Sequence, residues 1–461
     1  MTSQLKDQRL ADLAEHHNVA QFVSFSAGPD PAVRFSRIRG HDPDVEFVGV
    51  REAIDALIGS SHSDSVNIRS FQPDKQKGNP FIYGLFDAEQ VVTQVRSLAS
   101  QGYFCIVNET IDTHDGGVSG VVVGGVIEFT PFDTPRGVEQ PGVASLPYDT
   151  GIKLLGTVYG FQPDLRTEPD ERIEFSLHPL RVGYRHSHTL LWEAERVERQ
   201  ELQATIYWPN RFSRLIGDKA YGLLLADTLG FAVPATTVFP RAVAPFTFGR
   251  RTGTAEVWMR TSPPEPRPGH FPTTFGWSDP YTIMAKHDPS QAEIASILSQ
   301  ESVEPAYSGA SISRDDELPD YVEGVAGRGD DFMTGQRRGE SIPALIKTDV
   351  QMLLARVREL LGATHAEFVH DGEQPWIVQL HQQRASHPVG VMSPGEPAMG
   401  WLDFDPKTGL KALEALIGQA QALRKGIRVT APVGLTSHVG DLLRRSGTPA
   451  RIDVKVGSLT G

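Results

Sequence analysis

At 461 residues, with 39% apolar and 22% charged residues, the chain has the balance of a globular protein of two to four domains. A net charge of −13 argues against a duplex nucleic-acid binder, which needs a basic surface to neutralise phosphates. The single cysteine, Cys105, excludes an intramolecular disulfide and any multi-cysteine zinc site, and no apolar stretch approaches the roughly 18 residues that span a bilayer.

The first 20 residues pattern as a polar amphipathic helix without the apolar centre of a signal peptide, so a cytosolic, membrane-free protein is expected. Val48–Ile58 and Ala88–Ser100 carry apolar residues at helical spacing, and Tyr103–Asn108 reads as a strand around the buried-looking Cys105. Val118–Phe129, β-rich and broken by glycines, predicts a hairpin, and Pro131–Pro147 a loop. Leu154–Gly160 and Arg172–Leu177 read as strands, and Thr189–Gln203 as strand then helix. A new pattern begins near residue 206. Asp218–Leu229 predicts a helix closed by Gly230, followed by the extended Val233–Phe239 and a strand at Glu256–Arg260. Glu293–Leu298 fits strand or helix; Gly309–Ile312 and Asp320–Ala326 fit strands. Ile342–Gly362 is a long helix, and His365–His370 with Trp376–Leu380 make a hairpin around Asp371-Gly372. The tail adds a helix at Leu410–Arg424, a strand at Ile427–Thr430 and a helix at Val439–Arg445. Strands alternating with helices give a mixed α/β class.

Four segments of the second half carry chemistry in a fixed order. Gly217-Asp-Lys219 opens a helix, where an ammonium and the helix N-terminus both favour a phosphate. Val257-Trp-Met-Arg260-Thr-Ser ends a strand with a guanidinium, which suits bidentate phosphate contact. Tyr307-Ser-Gly-Ala is followed by Tyr321-Val-Glu323-Gly and the Gly-rich stretch to Asp330. Last come Glu367 and Gln379, twelve positions apart on two predicted strands. A carboxylate and an amide at adjacent strand ends offer the hard oxygens that Mg²⁺ prefers.

This order resembles the ATP-grasp nucleotide-binding domain of the phosphoenolpyruvate synthase and pyruvate phosphate dikinase family, over about Trp208 to Arg384. The resemblance implies ATP and Mg²⁺ as cofactors. Lys219, Arg260, Glu323, Glu367 and Gln379 would hold the nucleotide, and Glu367 and Gln379 the metal. It departs from the family at His365, where an acid is usual, and at Asp330, where a glutamate is usual.

Gly434-Leu-Thr-Ser-His438, opening the last helix, with Ser393-Pro-Gly395 upstream, resembles the family's phosphohistidine domain in shortened form. An imidazole can take and pass on a phosphoryl group, so His438 and Arg260 are the candidate catalytic residues. The expected domains are 1–205, an α/β domain of unassigned role; 206–386, the nucleotide-binding domain; and 387–461, a small phosphohistidine-like domain. No room is left for the barrel that binds pyruvate in the full enzymes. The expected function is an ATP- and Mg-dependent phosphotransferase with an unidentified small-molecule or protein acceptor. A nucleotide-sensing module without transfer and an ATP-grasp ligase stay open as alternatives, as does a homo-oligomer.

The first half contains an echo of the second. Val66-Asn-Ile-Arg69, Val118-Ser119-Gly and Ile173-Glu174-Phe175 follow the order of Arg260, Ser308-Gly and Glu367-Phe368, with 50 residues from Arg69 to Ser119 against 48 from Arg260 to Ser308. That order reads either as a degenerate repeat or as a chance likeness of three short segments. Glu109, Asp112, His114 and Asp115 form either a metal-binding turn or a solvated acidic one. The stretch His178–His188, with three histidines and two arginines, reads either as an anion site or as an exposed loop.

Overall fold

The computed structural model describes residues 5–73, 79–165, 168–199, 201–267, 270–313, 320–382, 391–431 and 433–452. The chain divides into two compact units, Met1–Thr205 and Ile206–Gly461. Both are mixed α/β, built mainly on antiparallel sheets. The boundary expected at 386/387 falls outside the described residues. No helix among them is long and apolar enough to cross a membrane.

In the first unit, helix α1 (Lys6–His16) precedes β1 (Phe22–Phe25) and β2 (Val33–Arg37). Helix α2 (Val50–Ser60), β3 (Val66–Phe71), β4 (Phe81–Leu85), α3 (Ala88–Ser100) and β5 (Phe104–Glu109) complete a sheet ordered β2-β1-β5-β3-β4. One face of it packs on α2 and α3 through Val23, Ile54, Leu57, Val95 and Cys105. Burial pushes the Cys105 thiol up to about 12, so it is inert as a nucleophile. The predicted hairpin is β6 (Val118–Val123) and β7 (Val126–Pro131), joined at Gly124-Gly125, whose positive φ angles suit a tight turn. With β8 (Ala144–Pro147), β9 (Glu171–Val182) and β10 (Ser187–Arg196) it forms a second sheet ordered β10-β9-β6-β7-β8.

Three readings fail here, the first in part: Pro131–Pro147 is not all loop, since it carries a 3-10 turn at Pro135–Glu139 and ends in β8, paired with β7. Leu154–Gly160 is not a strand but the end of helix α4 (Tyr148–Tyr159). Its buried residues Gly151, Ile152, Leu154, Leu155 and Val158 repeat at helical spacing, a period the short apolar run conceals. No helix follows β10 either: among the described residues, the polar stretch after Arg196 has no apolar face to bury.

In the second unit, α5 (Arg211–Ile216) and α6 (Asp218–Thr228) lead into β11 (Thr236–Pro240), β12 (Phe246–Phe248), β13 (Val257–Ser262) and β14 (Thr273–Phe275). Helix α7 (Pro280–His287) and β15 (Ser296–Glu301) follow, closing a sheet ordered β12-β11-β15-β13-β14. Next come β16 (Tyr307–Ile312), β17 (Tyr321–Ala326), the short α8 (Asp330–Met333), α9 (Ala344–Leu361), β18 (Thr364–His370) and β19 (Pro375–Gln382). Their sheet is ordered β17-β16-β18-β19. The tail holds β20 (Val391–Ser393), β21 (Trp401–Phe404), α10 (Leu410–Leu423), β22 (Gly426–Val429), α11 (His438–Ser446) and β23 (Ala450–Ile452). That sheet, ordered β20-β23-β22-β21, is partly parallel and has its own interior of Phe404, Leu413, Ile427, Val429 and Leu443.

Helix α6 lies directly on β19. A Cβ on Gly222 would stand 2.1 Å from the carbonyl oxygen of Leu380, so only glycine allows this approach. The contact sets α6 over the strand that carries Gln379. Gly222→Ala should therefore destabilise the fold. The helix-propensity gain of about 1 kcal/mol is outweighed by an overpacking cost of about 1–3 kcal/mol, because the atom struck is backbone. Urea unfolding checks this: the midpoint should fall, and a raised midpoint would mean that the helix is free to lift.

Candidate functional site

A cleft of about 440 Å³ in the second unit is lined by Lys219, Arg260, Asp330, His365, Glu367, Gln379, His381 and His438. Lys219 stands in the first turn of α6. The hydroxyl of Ser262, at the end of β13, accepts from the backbone N–H groups of Lys219 (3.1 Å) and Ala220 (3.3 Å), two donors that a helix start leaves unpaired. The same three-residue strand end therefore supplies Arg260 and anchors Lys219.

Arg260 crosses from one sheet to the other. Its guanidinium donates to Gln300 on β15 (3.0 Å) and to Glu367 on β18 (3.1 Å), and on β19 to the Gln379 side chain and the Val378 carbonyl. Gln379 turns its remaining N–H toward His381 Nε2 (2.6 Å), so His381 carries its proton on Nδ1 and donates to Asp218 (2.5 Å). A chain of contacts thus runs from Arg260 through Gln379 and His381 to Asp218.

Burial would raise the Glu367 carboxyl, but Arg260, then His438, His365 and Lys219, more than offset it, so Glu367 is held below its usual range and ionised. Burial, then the charge of Arg260, pulls the Lys219 ammonium down to about 8. Burial holds His365 near 4, so its ring is neutral at pH 7. His438 is also lowered, chiefly by burial, which leaves a neutral imidazole with a lone pair to offer.

The loop before His438 is moored by Glu323. One carboxylate oxygen accepts from the Thr436 N–H (3.0 Å) and hydroxyl (2.9 Å), while Tyr321 donates to the other (3.1 Å). Glu323, expected to hold the nucleotide, thus has both oxygens engaged away from the cleft and acts on the loop of His438. Ser437 caps α11, so His438 stands at the first turn of that helix.

Among the described residues, no group of three or more His, Cys, Asp or Glu side chains could by itself hold a metal. A hard cation nonetheless has an oxygen to meet: Glu367 Oε1 is buried without a partner, and so is Asp218 Oδ1. The expected amide ligand fits less well, since the Gln379 oxygen already accepts from Arg260. Sequence reasoning missed His381 and Asp218. His381 was within reach of it, because a residue two along a strand from Gln379 shares its face.

The two clusters of the first unit are tied into the fold. Glu109 accepts from the Gln21 backbone and side chain (both 2.8 Å), and Asp115 from His178 Nδ1 (2.7 Å), whose Nε2 meets the Ser176 hydroxyl (2.8 Å). Arg185 donates to the Ala14 carbonyl, at the end of α1.

No family model and no curated protein matches the chain. Among solved structures it is similar in part to a D-alanine–D-alanine ligase from Bacillus anthracis complexed with ATP. There the identity is 12% and the TM-score 0.25, over 36% of this chain and 55% of that one. A RimK domain protein named as ATP-grasp, from Sphaerobacter thermophilus, matches at 18% identity and TM-score 0.24, over 36% and 60%. The D-alanine–D-alanine ligase of Helicobacter pylori matches at 7% identity and TM-score 0.26, over 38% and 54%. The chain spans between half and two thirds of the length of these structures. Likenesses this remote define neither a family nor an activity for it.

Proposed function

We propose that the second unit is an ATP-grasp-type site that binds Mg-ATP in its cleft and transfers a phosphoryl group to His438. The observation that carries this reading is the convergence of Lys219, Arg260, Glu367 and His438 on one cleft. Lys219 and Arg260 present two cations to the phosphates, and Glu367 Oε1 and Asp218 Oδ1 present free oxygens to the metal. Mg²⁺ would supply charge neutralisation across the phosphates.

The neutral His438 nitrogen forms the N–P bond as the P–O bond to the leaving group breaks, and the electron pair goes to that leaving oxygen. The two cations then stabilise the charge that develops there. The dikinase resemblance implies attack on the β-phosphate, so that AMP leaves and the β- and γ-phosphates pass together to His438; cleavage of the γ-phosphate by water, released as orthophosphate, then leaves one phosphoryl group on the imidazole. A second reading is ATP-grasp ligation, the activity named for two of the partly similar structures. In it a substrate carboxylate would take the phosphoryl group in place of His438 and ADP would be released.

Calorimetry with a non-hydrolysable ATP analogue and Mg²⁺ tests the shared step, and absence of binding sinks both readings. Labelling with β- and γ-labelled ATP separates them. An acid-labile, base-stable label on the protein together with AMP supports the relay. ADP formed only on addition of a carboxylate or amine supports ligation.

The pH dependence follows from Lys219. An anion favours the protonated ammonium and raises its pKa in the complex above the value of about 8 in the free site. Affinity should thus be level below pH 7 and fall as pH rises through 8, by about tenfold between pH 7 and 9. Lys219→Met should bind weakly and lose this slope. A wild-type profile flat to pH 9 would remove Lys219 from the phosphates.

A further inference from the structure

The two units share a topology. The first sheets read β2-β1-β5-β3-β4 and β12-β11-β15-β13-β14, the same order with every number raised by ten. The second sheets read β10-β9-β6-β7 and β19-β18-β16-β17, with β8 as an added edge. Registers agree residue by residue. Gly120 faces Phe175 as Gly309 faces Phe368, and Val121 faces Glu174 as Ala310 faces Glu367. A Cβ on either glycine would strike the same neighbours: a carbonyl oxygen at 2.1 Å (Glu128, Glu323) and the ring of Phe175 or Phe368. Both hairpins slip register at the same place, pairing Leu191 with Phe175 and Glu193 with Glu174, and Ile377 with Phe368 and Gln379 with Glu367. Glu193 therefore holds the place of Gln379, Trp192 that of Val378, and Arg69, fourth in β3, that of Arg260, fourth in β13. Lys6 opens α1 as Lys219 stands in the first turn of α6.

We propose that the first unit is a second copy of the nucleotide-binding fold whose phosphate corner is closed by its own carboxylate, Glu193. The inference rests on the nucleotide reading of the second unit. In that unit a neutral amide stands in this place, Arg260 meets a single carboxylate, Glu367, and the Lys219 ammonium does not join that ion pair. In the first, Glu193 binds both cations at once, Arg69 at 3.1 Å and Lys6 at 3.3 Å. An incoming phosphate would have to displace a covalently tethered carboxylate at very high effective concentration and then bear its repulsion. The side wall changes in the same sense. Val369 and Val378 line the cleft of the second unit, whereas in the first Ser176 and Trp192 hold these positions, and the indole N–H is tied to the Ser176 hydroxyl at 2.8 Å. The chain therefore binds one nucleotide, and Glu193 keeps the first unit shut to anions.

The test uses the full chain carrying Lys219→Ala and Arg260→Ala, so that the second unit is silent, with inorganic tripolyphosphate as the probe in calorimetry. This parent should show no binding. Adding Glu193→Gln, the residue of the second copy, frees Lys6 and Arg69 and should raise affinity for tripolyphosphate by about tenfold or more. A further Lys6→Ala should remove the gain. A second version with Glu195→Gln as well guards against Glu195 taking over the cations, and circular dichroism confirms that each variant is folded. Binding by the parent that Lys6→Ala abolishes would show the first unit to be a live site and overturn the proposal. So would the absence of any gain in both Gln variants. Failure of the wild-type chain to bind Mg-ATP would instead sink the nucleotide reading, and the parent-background comparison would still decide whether Glu193 closes the corner.

Discussion

Arg260→Ala should destabilise the second unit by about 3–5 kcal/mol and abolish nucleotide binding together. The guanidinium is the ionic partner of Glu367, which is buried and ionised, and both side chains are 11% exposed. Removing one member of such a pair leaves the other uncompensated in a low-dielectric site, which costs about 3–5 kcal/mol. The same change orphans the Gln379 oxygen and the Val378 carbonyl. Arg260→Lys should recover little, because an ammonium with three donors cannot reproduce the planar fork that reaches four acceptors. Adding Glu367→Gln to the alanine variant should restore part of the stability by removing the stranded charge, but none of the binding. Urea unfolding of the single and double variants checks this. A loss below about 1 kcal/mol for Arg260→Ala would mean that the ion pair is solvated and that its span between sheets carries no weight.

His438→Asn should abolish the acid-labile label while leaving affinity for the ATP analogue within about twofold, since the residue is asked to act as a nucleophile and not as an anchor. Asparagine keeps size and a donor at the start of α11, where Ser437 supplies the cap, so folding should be preserved. The phosphoramidate, stable in base and lost in acid, distinguishes this label from phosphoserine. If the variant turns over ATP at the wild-type rate, His438 is a structural residue of the helix start. Retained turnover with a carboxylate acceptor would then favour ligation.

Residues whose chemistry and place are both fixed by local pattern were legible in the sequence. Lys219 stands in the first turn of a helix and Arg260 in the second half of a strand, and both line the cleft. Glu367 and Gln379 are twelve apart and do sit opposite one another in the ladder. The echo of Arg69, Ser119 and Glu174 falls on matching strands, because buried central strands keep their pattern where edges do not. What escaped is what depends on distant pairing. The contact of Asp218 with His381 joins positions 163 apart, and nothing local in either announces the other. Short strands such as β4 and β14 have exposed residues and too few positions for a period to show. Glu323 enters through the family resemblance alone, and its partner Thr436, 113 residues on, is not marked by any local pattern.

The mooring of the Thr436 loop has a mechanical consequence. Every apolar residue of the interior beneath α11 and β22 comes from the tail itself, from Met392 to Ala450. The loop meets Glu323 through one amide and one hydroxyl, and a Cβ on Gly434 would come within 3.0 Å of that same carboxylate. The berth is apolar as well as polar, because the Phe332 ring lies against Gly434, and Val433 and Val439 of that interior lie against Gly335, so parting would break polar contacts that water replaces and also uncover apolar side chains that water does not stabilise. Glu323 and Phe332 together thus seat the loop of His438, one by hydrogen bonds and the other by shape, and the imidazole is held at the cleft by both.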